Sequence, residues 1–425
     1  MTLELLRIGA SVAQPETYMD PVRISRAFKA LRERSPVHWV ETSGFRPFWA
    51  ITRHADIIAI EQSAQRFLAA PRTILFNELA ESAFVQLTGK TPPVRPLTHM
   101  DDPEHRVYRA ITQAFFAPAN IQKYEKSVVV PMAQKLVDEL SHGNRVYDFA
   151  DIAARFPLGV IMTLIGVPIS DLAQILVWTR DLLGVDDPNR RTNKDPFAAI
   201  ESSLVGFRDY FDRLAKERRK RPRDDIATLL ANAKIGGKSI PDFERISYFI
   251  ILSTAGHDTT SFAITGGLHA FIEFPDQLEK FKYDPSLLVR AVDEILRWTS
   301  PVRHFMRTAR ADCEIGEARI RAGDSLALFF ISGNRDEQVF AHSNSFVVTR
   351  NPNPQIAFGS GPHHCLGHHL AKMEIRILFK SLMERLDQIE CAGTPVWTSS
   401  NFVGGIRSLP IRCRRRSISG RRQGS

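Results

Sequence analysis

Apolar residues recur at helical spacing through most of the chain, and alternate or cluster over only short stretches. Tyr124–Leu140, Asp151–Ile165, Ile200–Arg219 and Ser286–Thr299 each read as helices, whereas Val37–Val40, Phe48–Ile51 and Ser325–Ile331 read as strands. The expected fold is mainly α with a minor β component. One helix stands out, starting near Pro241 with Asp242 and Glu244 in its first turn and stopping before Pro275; its middle, YFIILSTAGHDTTSFAITGGL, is apolar on nearly every side. Roughly thirty residues at helical rise make about 50 Å. A compact chain of this length has a radius of gyration of only about 22 Å. This pattern predicts one helix that crosses the whole body, with its middle buried in the core. Its centre carries His257, Asp258, Thr259 and Thr260. Polar groups in such a place are costly unless they are satisfied or functional.

Length and composition narrow the class. With 425 residues, 44% hydrophobic and 24% charged, the chain is neither disordered nor fibrous, and length alone suggests two or three domains. The net charge is +9, but six arginines lie in the last fifteen residues, so the body is nearly balanced. No basic segment studded with aromatics points to nucleic acid. The charge run Glu217–Asp225 reads as a solvated helix end and turn. Four cysteines without close pairing fit a reducing compartment, and the first residues lack the apolar core of a signal peptide. No stretch of 18 apolar residues offers a membrane span. A cytoplasmic protein is the expectation.

Candidate chemistry sits in four places. In FGSGPHHCLGHHLAKMEIR, Phe358–Arg376, the glycines Gly359, Gly361 and Gly367 surround Cys365 just ahead of a helical pattern. Glycines let a backbone approach something flat and bulky. A helix N-terminus favours the thiolate. The arrangement suits a thiolate ligand presented to a planar cofactor, with a buried structural cysteine as the plain alternative. A soft-metal site built from His363, His364, Cys365, His368 and His369 is the rival reading, although neighbouring histidines point apart and the spacing matches no usual zinc pattern. Glu294 and Arg297 form an i, i+3 pair, ordinarily a surface contact. His105 and Arg109 lie four apart on one helix face, either solvated or able to clamp an anionic group.

Together these segments resemble the cytochrome P-450 family, particularly its soluble bacterial haem-thiolate monooxygenases. The pattern F-G-x-G-x-H-x-C-x-G is met by Phe358, Gly359, Gly361, His363, Cys365 and Gly367. Glu294 and Arg297 match E-x-x-R seventy-one residues before the cysteine, and Ala255-Gly256-His257-Asp258-Thr259-Thr260 matches A-G-x-D-T-T. The likeness runs from about Tyr18 to Arg412, which implies one α-rich domain over residues 1–411 and a basic, disordered tail over 412–425. One departure is Asp101-Asp102-Pro103-Glu104-His105, where Asp102 stands in place of a family proline and is expected to loosen the turn.

The resemblance implies that Cys365 is the axial thiolate of a haem b iron, favouring O–O cleavage. It implies propionate-binding roles for His105, Arg109, Arg307 and His363, and cofactor contacts for Ala255, Gly256, Phe358, Gly359 and Gly367. Glu294 and Arg297 become a structural pair. Thr259 and Asp258 become an acid–alcohol pair, the threonine leaving its helical carbonyl bond beside Gly256 while the aspartate relays protons. The reaction implied is insertion of one oxygen atom of O2 into a hydrophobic small molecule, with C–H hydroxylation first among the options. With no cysteine set for a cluster, NAD(P)H electrons are expected from a separate ferredoxin and its reductase. They would arrive at a basic stripe of Lys372, Arg376 and Lys380 with Arg106, on a monomer. By analogy the substrate pocket draws on Pro71–Pro96, the region Leu183–Phe207, Phe249, Leu252, Ser253, Ala255, Val302, His304, Phe305, Phe402 and Val403. Arg72 or His304 is the candidate for fixing a carboxylate. A peroxide-driven peroxygenase and a non-catalytic haem-thiolate sensor or carrier are the competing functions. Neither has a use for Asp258 and Thr259.

Overall fold

The computed structural model describes residues 2–89, 93–140, 145–184, 187, 189 and 191–415. The elements that frame its interior are, in chain order, β1 (Val37–Thr42), β2 (Phe45–Ile51), α1 (His54–Gln62) and α2 (Glu104–Gln113). Then come α3 (Phe149–Ile165), α4 (Pro196–Lys220), α5 (Asp242–Ala255), α6 (Asp258–Glu273) and α7 (Leu288–Thr299). The chain closes with β3 (Phe305–Ala309), β4 (Ser325–Leu328), α8 (His368–Arg385), β5 (Leu386–Cys391) and β6 (Pro410–Arg415). Helix dominates, as the periodicity predicts.

β1 and β2 pair antiparallel across a turn at Gly44, whose φ of +84° suits a residue without a side chain. β4 joins β2 in parallel and β3 antiparallel, and Phe67–Leu68 completes the five-stranded sheet. α6 packs between α3 and α7 and is buried on nearly every side, which is why its sequence is apolar all round.

Several local expectations change. The long central rod is two helices, α5 and α6, separated by Gly256 and His257, the latter at a non-helical φ of −132°. A β-carbon on Gly256 would fall 2.5 Å from the Leu252 carbonyl oxygen and 2.6 Å from Ile161 Cγ1, so α3 presses against the break. The Tyr124–Leu140 helix contains a π turn at Glu125–Val129 ahead of Val130–Leu140. Widening the helix there accommodates Pro131, which has no N–H to donate and crowds the preceding turn. The predicted strand Ser325–Ile331 ends at Leu328 and continues as a helical turn, Phe330–Gly333.

The charge run at Glu217–Asp225 is not wholly solvated. Arg218 is buried, and its Nε donates to Asp225 at 2.6 Å while Nη2 donates to the Gly166 carbonyl at 2.9 Å. The fold also extends past residue 411. β6 runs to Arg415 and pairs with β5, so Arg412 faces Glu390 and Arg414 faces Gln388 in the ladder. The remaining expected tail, 416–425, lies outside the described residues. No helix among the described residues is long and apolar enough to cross a membrane.

Candidate functional site

The cysteine loop is pinned from both sides. Gly359 and Gly361 adopt φ of +69° and +65°, and Cys365 N–H donates to the Phe358 carbonyl at 2.9 Å. A β-carbon on Gly361 would sit 2.4 Å from the Glu61 carbonyl oxygen, so the end of α1 lies directly on the loop. Glu61 fastens that contact: its carboxylate accepts from Ser360 N–H at 2.5 Å and from Arg307 Nη2 at 3.0 Å. α8 begins three residues beyond Cys365, and His368 Nδ1 lies 2.8 Å from the Cys365 carbonyl. The thiol is free, and burial pushes its pKa up, while the Gly367 N–H and the Arg109 charge favour the thiolate.

Cys365 lines a cavity of ≈ 330 Å³ that runs from this loop to the α5–α6 break. Most of the wall is apolar, including Ile161, Ile250, Leu252, Leu296, Val302, Phe305, Phe402 and Val403. One end is different. Arg109, Arg307, His99, His105 and His363 all face it, with Glu61 as their acid. The His105 and His363 rings lie 4.0 Å apart, and Arg109 Nη2 donates to the His364 carbonyl at 2.8 Å. Burial, then neighbouring positive charge, lowers the His105 and His363 pKa values, so both imidazoles are neutral N–H donors at neutral pH.

At the break, side chains take up backbone carbonyls. Ser253 and Thr254 hydroxyls donate to Phe249 and Ile250 carbonyls at 2.8 and 2.9 Å, and His257 Nδ1 lies 2.8 Å from the Ser253 carbonyl. Thr259 Oγ1 donates to the Ala255 carbonyl at 3.2 Å, so the threonine keeps its i−4 bond, contrary to the expectation that it leaves it. The break comes from the backbone at Gly256 and His257 instead. Thr254, Ala255, Gly256, Thr259 and Thr260 line the cavity, whereas Asp258 is buried behind that wall with Oδ1 3.2 Å from His257 Nε2.

Glu294 and Arg297 are fully buried and joined by two bonds of 2.8 Å. Arg297 also donates to the carbonyls of Asn334, Ser343 and Ser345, each at 2.9 Å. Glu294 further accepts from Val347 N–H, Arg350 Nε and Asn353 Nδ2. The pair ties α7 to the stretch leading into the cysteine loop.

Other expected site residues lie elsewhere. Phe249 stacks on Phe211 of α4 with centroids 4.5 Å apart, and Ser253 is turned into the helix, so neither lines the cavity. His304 is buried between backbone groups, accepting from Leu75 N–H at 3.0 Å and facing the Asn401 carbonyl at 2.9 Å. Burial holds it neutral, with a pKa of about 4. Arg72 is paired with Glu81. Neither side chain lines the cavity. From Pro71–Pro96, the cavity receives Thr73, Ile74, Phe76, Phe84, Pro93, Val94 and Pro96, while residues 90–92 lie outside the described residues. From the predicted Leu183–Phe207 region no described side chain lines it, the Leu183 side chain being outside the description; its neighbour Leu182 does.

The basic stripe is internally compensated: Lys372 pairs with Asp293 at 2.7 Å, Arg376 with Glu125 at 2.8 Å, Lys380 with Glu384 at 3.9 Å and Arg106 with Asp102 at 3.1 Å. Asp102 tightens its turn, since its carboxylate also accepts from Arg106 N–H at the start of α2. Among the described residues no three His, Cys, Asp or Glu side chains converge as a metal site, which removes support from the histidine-cluster reading.

Sequence reasoning missed Glu61, His99 and Glu374. Glu61 has no local signal, because only the fold brings α1 to the loop. His99 lies two residues before Asp101. Glu374 was legible, falling between Leu370 and Leu378 on the buried face of α8. Its two carboxyl oxygens are buried without a partner in the cavity wall, and burial raises its pKa well above the carboxylate range.

These features fit haem. A free thiol lies on the wall, cationic and N–H donors gather at one end, and the buried His105 Nε2 has no protein partner. The comparisons agree. The family model for cytochrome P450 matches residues 286–412. Cytochrome P450-terp from a Pseudomonas species is 39% identical over 95% of this chain and 97% of its own. The crystal structure of CYP108D1 from Novosphingobium aromaticivorans covers 97% of this chain and 99% of its own at 35% identity and a TM-score of 0.90. CYP268A2 of Mycobacterium marinum, solved in complex with pseudoionone, covers 93% and 95% at 33% identity and a TM-score of 0.86. With likeness of that extent and a thiolate site of that form, the chain belongs to the cytochrome P450 family of haem monooxygenases.

Proposed function

We propose that this protein hydroxylates a branched, largely apolar terpenoid bearing a single oxygen function. The observation that carries this reading is one apolar cavity into which both the Cys365 thiol and the Thr259 hydroxyl open. The pseudoionone complex of the Mycobacterium marinum relative supports the substrate class. Neither Arg72 nor His304 lines the cavity, so neither offers a charge to a substrate carboxylate. Haem b, when bound, supplies the activation of dioxygen and is held by Cys365, with Arg109, Arg307, His105 and His363 as donors to its carboxylates.

The protein's own groups manage the proton. The Thr259 hydroxyl presents an O–H at the break in the helix, and Asp258 stands behind it, Oδ1 3.2 Å from His257 Nε2, to relay protons toward it. Electrons come from NAD(P)H through a separate ferredoxin and its reductase, docking on the face around α8. There the cations already hold carboxylates of this chain, so an acidic partner exchanges one ion pair for another and its on-rate falls with salt.

Titrating the haem-loaded protein with pseudoionone is expected to give a saturable spin-state shift and, with redox partners, a hydroxylated product. A response to steroids but none to branched terpenoids would replace the proposed class. In the same assay Thr259→Ala is expected to keep consuming NAD(P)H while product per NAD(P)H falls by about tenfold or more, positioned proton transfer contributing about 10²–10⁴-fold. Unchanged coupling would remove Thr259 from proton delivery.

A further inference from the structure

We propose that Glu61 exchanges a proton with solvent in step with the haem's oxidation state, binding one when the bound haem is reduced and releasing it on reoxidation. The inference rests on the haem reading of the cavity and adds a residue that no sequence motif marks.

The geometry comes first. Glu61 is the penultimate residue of α1 and is only 3% exposed, yet it lines the cavity at its cationic end. Two donors hold it, Arg307 Nη2 from β3 and Ser360 N–H from the cysteine loop. The charged and titratable groups around it can be enumerated by element. Arg307 stands on β3, Arg109 and His105 on α2, His363 on the cysteine loop, and His99 and Asp101 ahead of α2.

Asp101 is engaged by the N–H groups of Ala69 and Ala70 at 2.7 and 3.1 Å. The three histidines are kept neutral by burial, His99 with a pKa of about 4. Two fixed guanidinium charges therefore face three carboxyl groups once the two of haem b are present. A buried site bears that surplus negative charge at a cost, which brings the Glu61 carboxyl close to taking up a proton. Burial already pushes Glu61 up to about 7, against the opposing pull of Arg307 and the Ser360 N–H. Adding one electron to the iron makes the pocket more negative, which strengthens proton binding at Glu61. The step balances as one electron from the reductant to ferric haem and one proton from solvent to the Glu61 carboxylate.

The test is the midpoint potential of the haem-loaded protein from pH 6 to 8, by spectroelectrochemistry. The wild type is expected to fall with rising pH, with a slope approaching about 59 mV per unit, the one-electron equivalent of a tenfold change in proton activity. Ser360 and Arg307 donate to different oxygens of Glu61, so Glu61→Gln keeps an acceptor for one of the two, removes the titrating proton and is expected to flatten that slope. A purely structural role would offset the potential by a constant and leave the slope in place. Should the variant lose haem, proton uptake on reduction of the wild type in weakly buffered solution at pH 7 decides the question. A flat wild-type profile, no proton uptake, or a wild-type slope in Glu61→Gln overturns the proposal. Protein that takes up no haem at all overturns the site reading as well.

Discussion

Arg297→Ala is expected to lower the stability of the fold by about 3–5 kcal/mol, the loss typical of breaking a buried ion pair from one side. That is a large share of the roughly 5–15 kcal/mol by which proteins of ordinary stability exceed their unfolded state. The reason is the number of groups stranded at once. Glu294 keeps its charge in a site with no exposure, and the carbonyls of Asn334, Ser343 and Ser345 lose their donor. Arg350 and Asn353 still bond Glu294 from the other side, which limits the collapse without replacing the guanidinium.

Lysine is no substitute, because a single ammonium cannot span both carboxylate oxygens and three carbonyls. Arg297→Lys is therefore expected to fall close to the alanine variant. Urea unfolding followed by far-UV circular dichroism reads the loss as a lowered midpoint at unchanged slope. The haem-loaded fraction after purification should fall in parallel, because the same network braces the chain leading to Cys365. A midpoint within error of the wild type in Arg297→Ala would mean that the pair is dispensable to the fold.

How far this was legible from sequence depended on whether the signal was local. The cysteine loop was, since its glycines and Cys365 are close in the chain and two of those glycines, Gly359 and Gly361, are demanded by backbone conformations at positive φ. Glu294 and Arg297 were legible only through the wider likeness, because an i, i+3 pair on a helix is ordinarily a surface contact and nothing in the heptad reveals the three carbonyls that bury it.

The central rod was right in its burial and wrong in its continuity. Helical propensity does not register that Ile161 of α3 presses on Gly256, or that His257 takes the Ser253 carbonyl. The pocket residues Phe249 and Ser253 failed for a related reason: each faces away from its helix's cavity side, and the aromatic face of α4 that claims Phe249 is remote in sequence. His304 failed because strand-end positions carry no periodic signal, and its ring turned out to satisfy two backbone groups. The same distance rule hides Glu61, whose partners Arg307 and Ser360 lie 246 and 299 residues away.

Cys365→Ser is expected to abolish the strongly red-shifted Soret band of the dithionite-reduced, carbon monoxide-treated protein, and product formation with it. Charge at the ligand decides the outcome. A thiol can be held as an anion at this position because the Gly367 N–H and the Arg109 guanidinium oppose the burial that raises its pKa. A serine hydroxyl is far too weak an acid for the same two groups to ionise, so no anionic ligand remains to push electron density to the iron. The substitution is small and leaves the Cys365 N–H bond to Phe358 and the glycine turns intact, so the fold is expected to persist and haem to be retained weakly through Arg109, Arg307, His105 and His363. Cys413→Ser is the matched control: that thiol is buried elsewhere, donating to the Leu140 carbonyl at 3.1 Å, and its loss should leave the band unchanged. A Cys365→Ser protein that keeps the red-shifted band would assign the ligand to another residue, and loss of the band in Cys413→Ser instead would identify which.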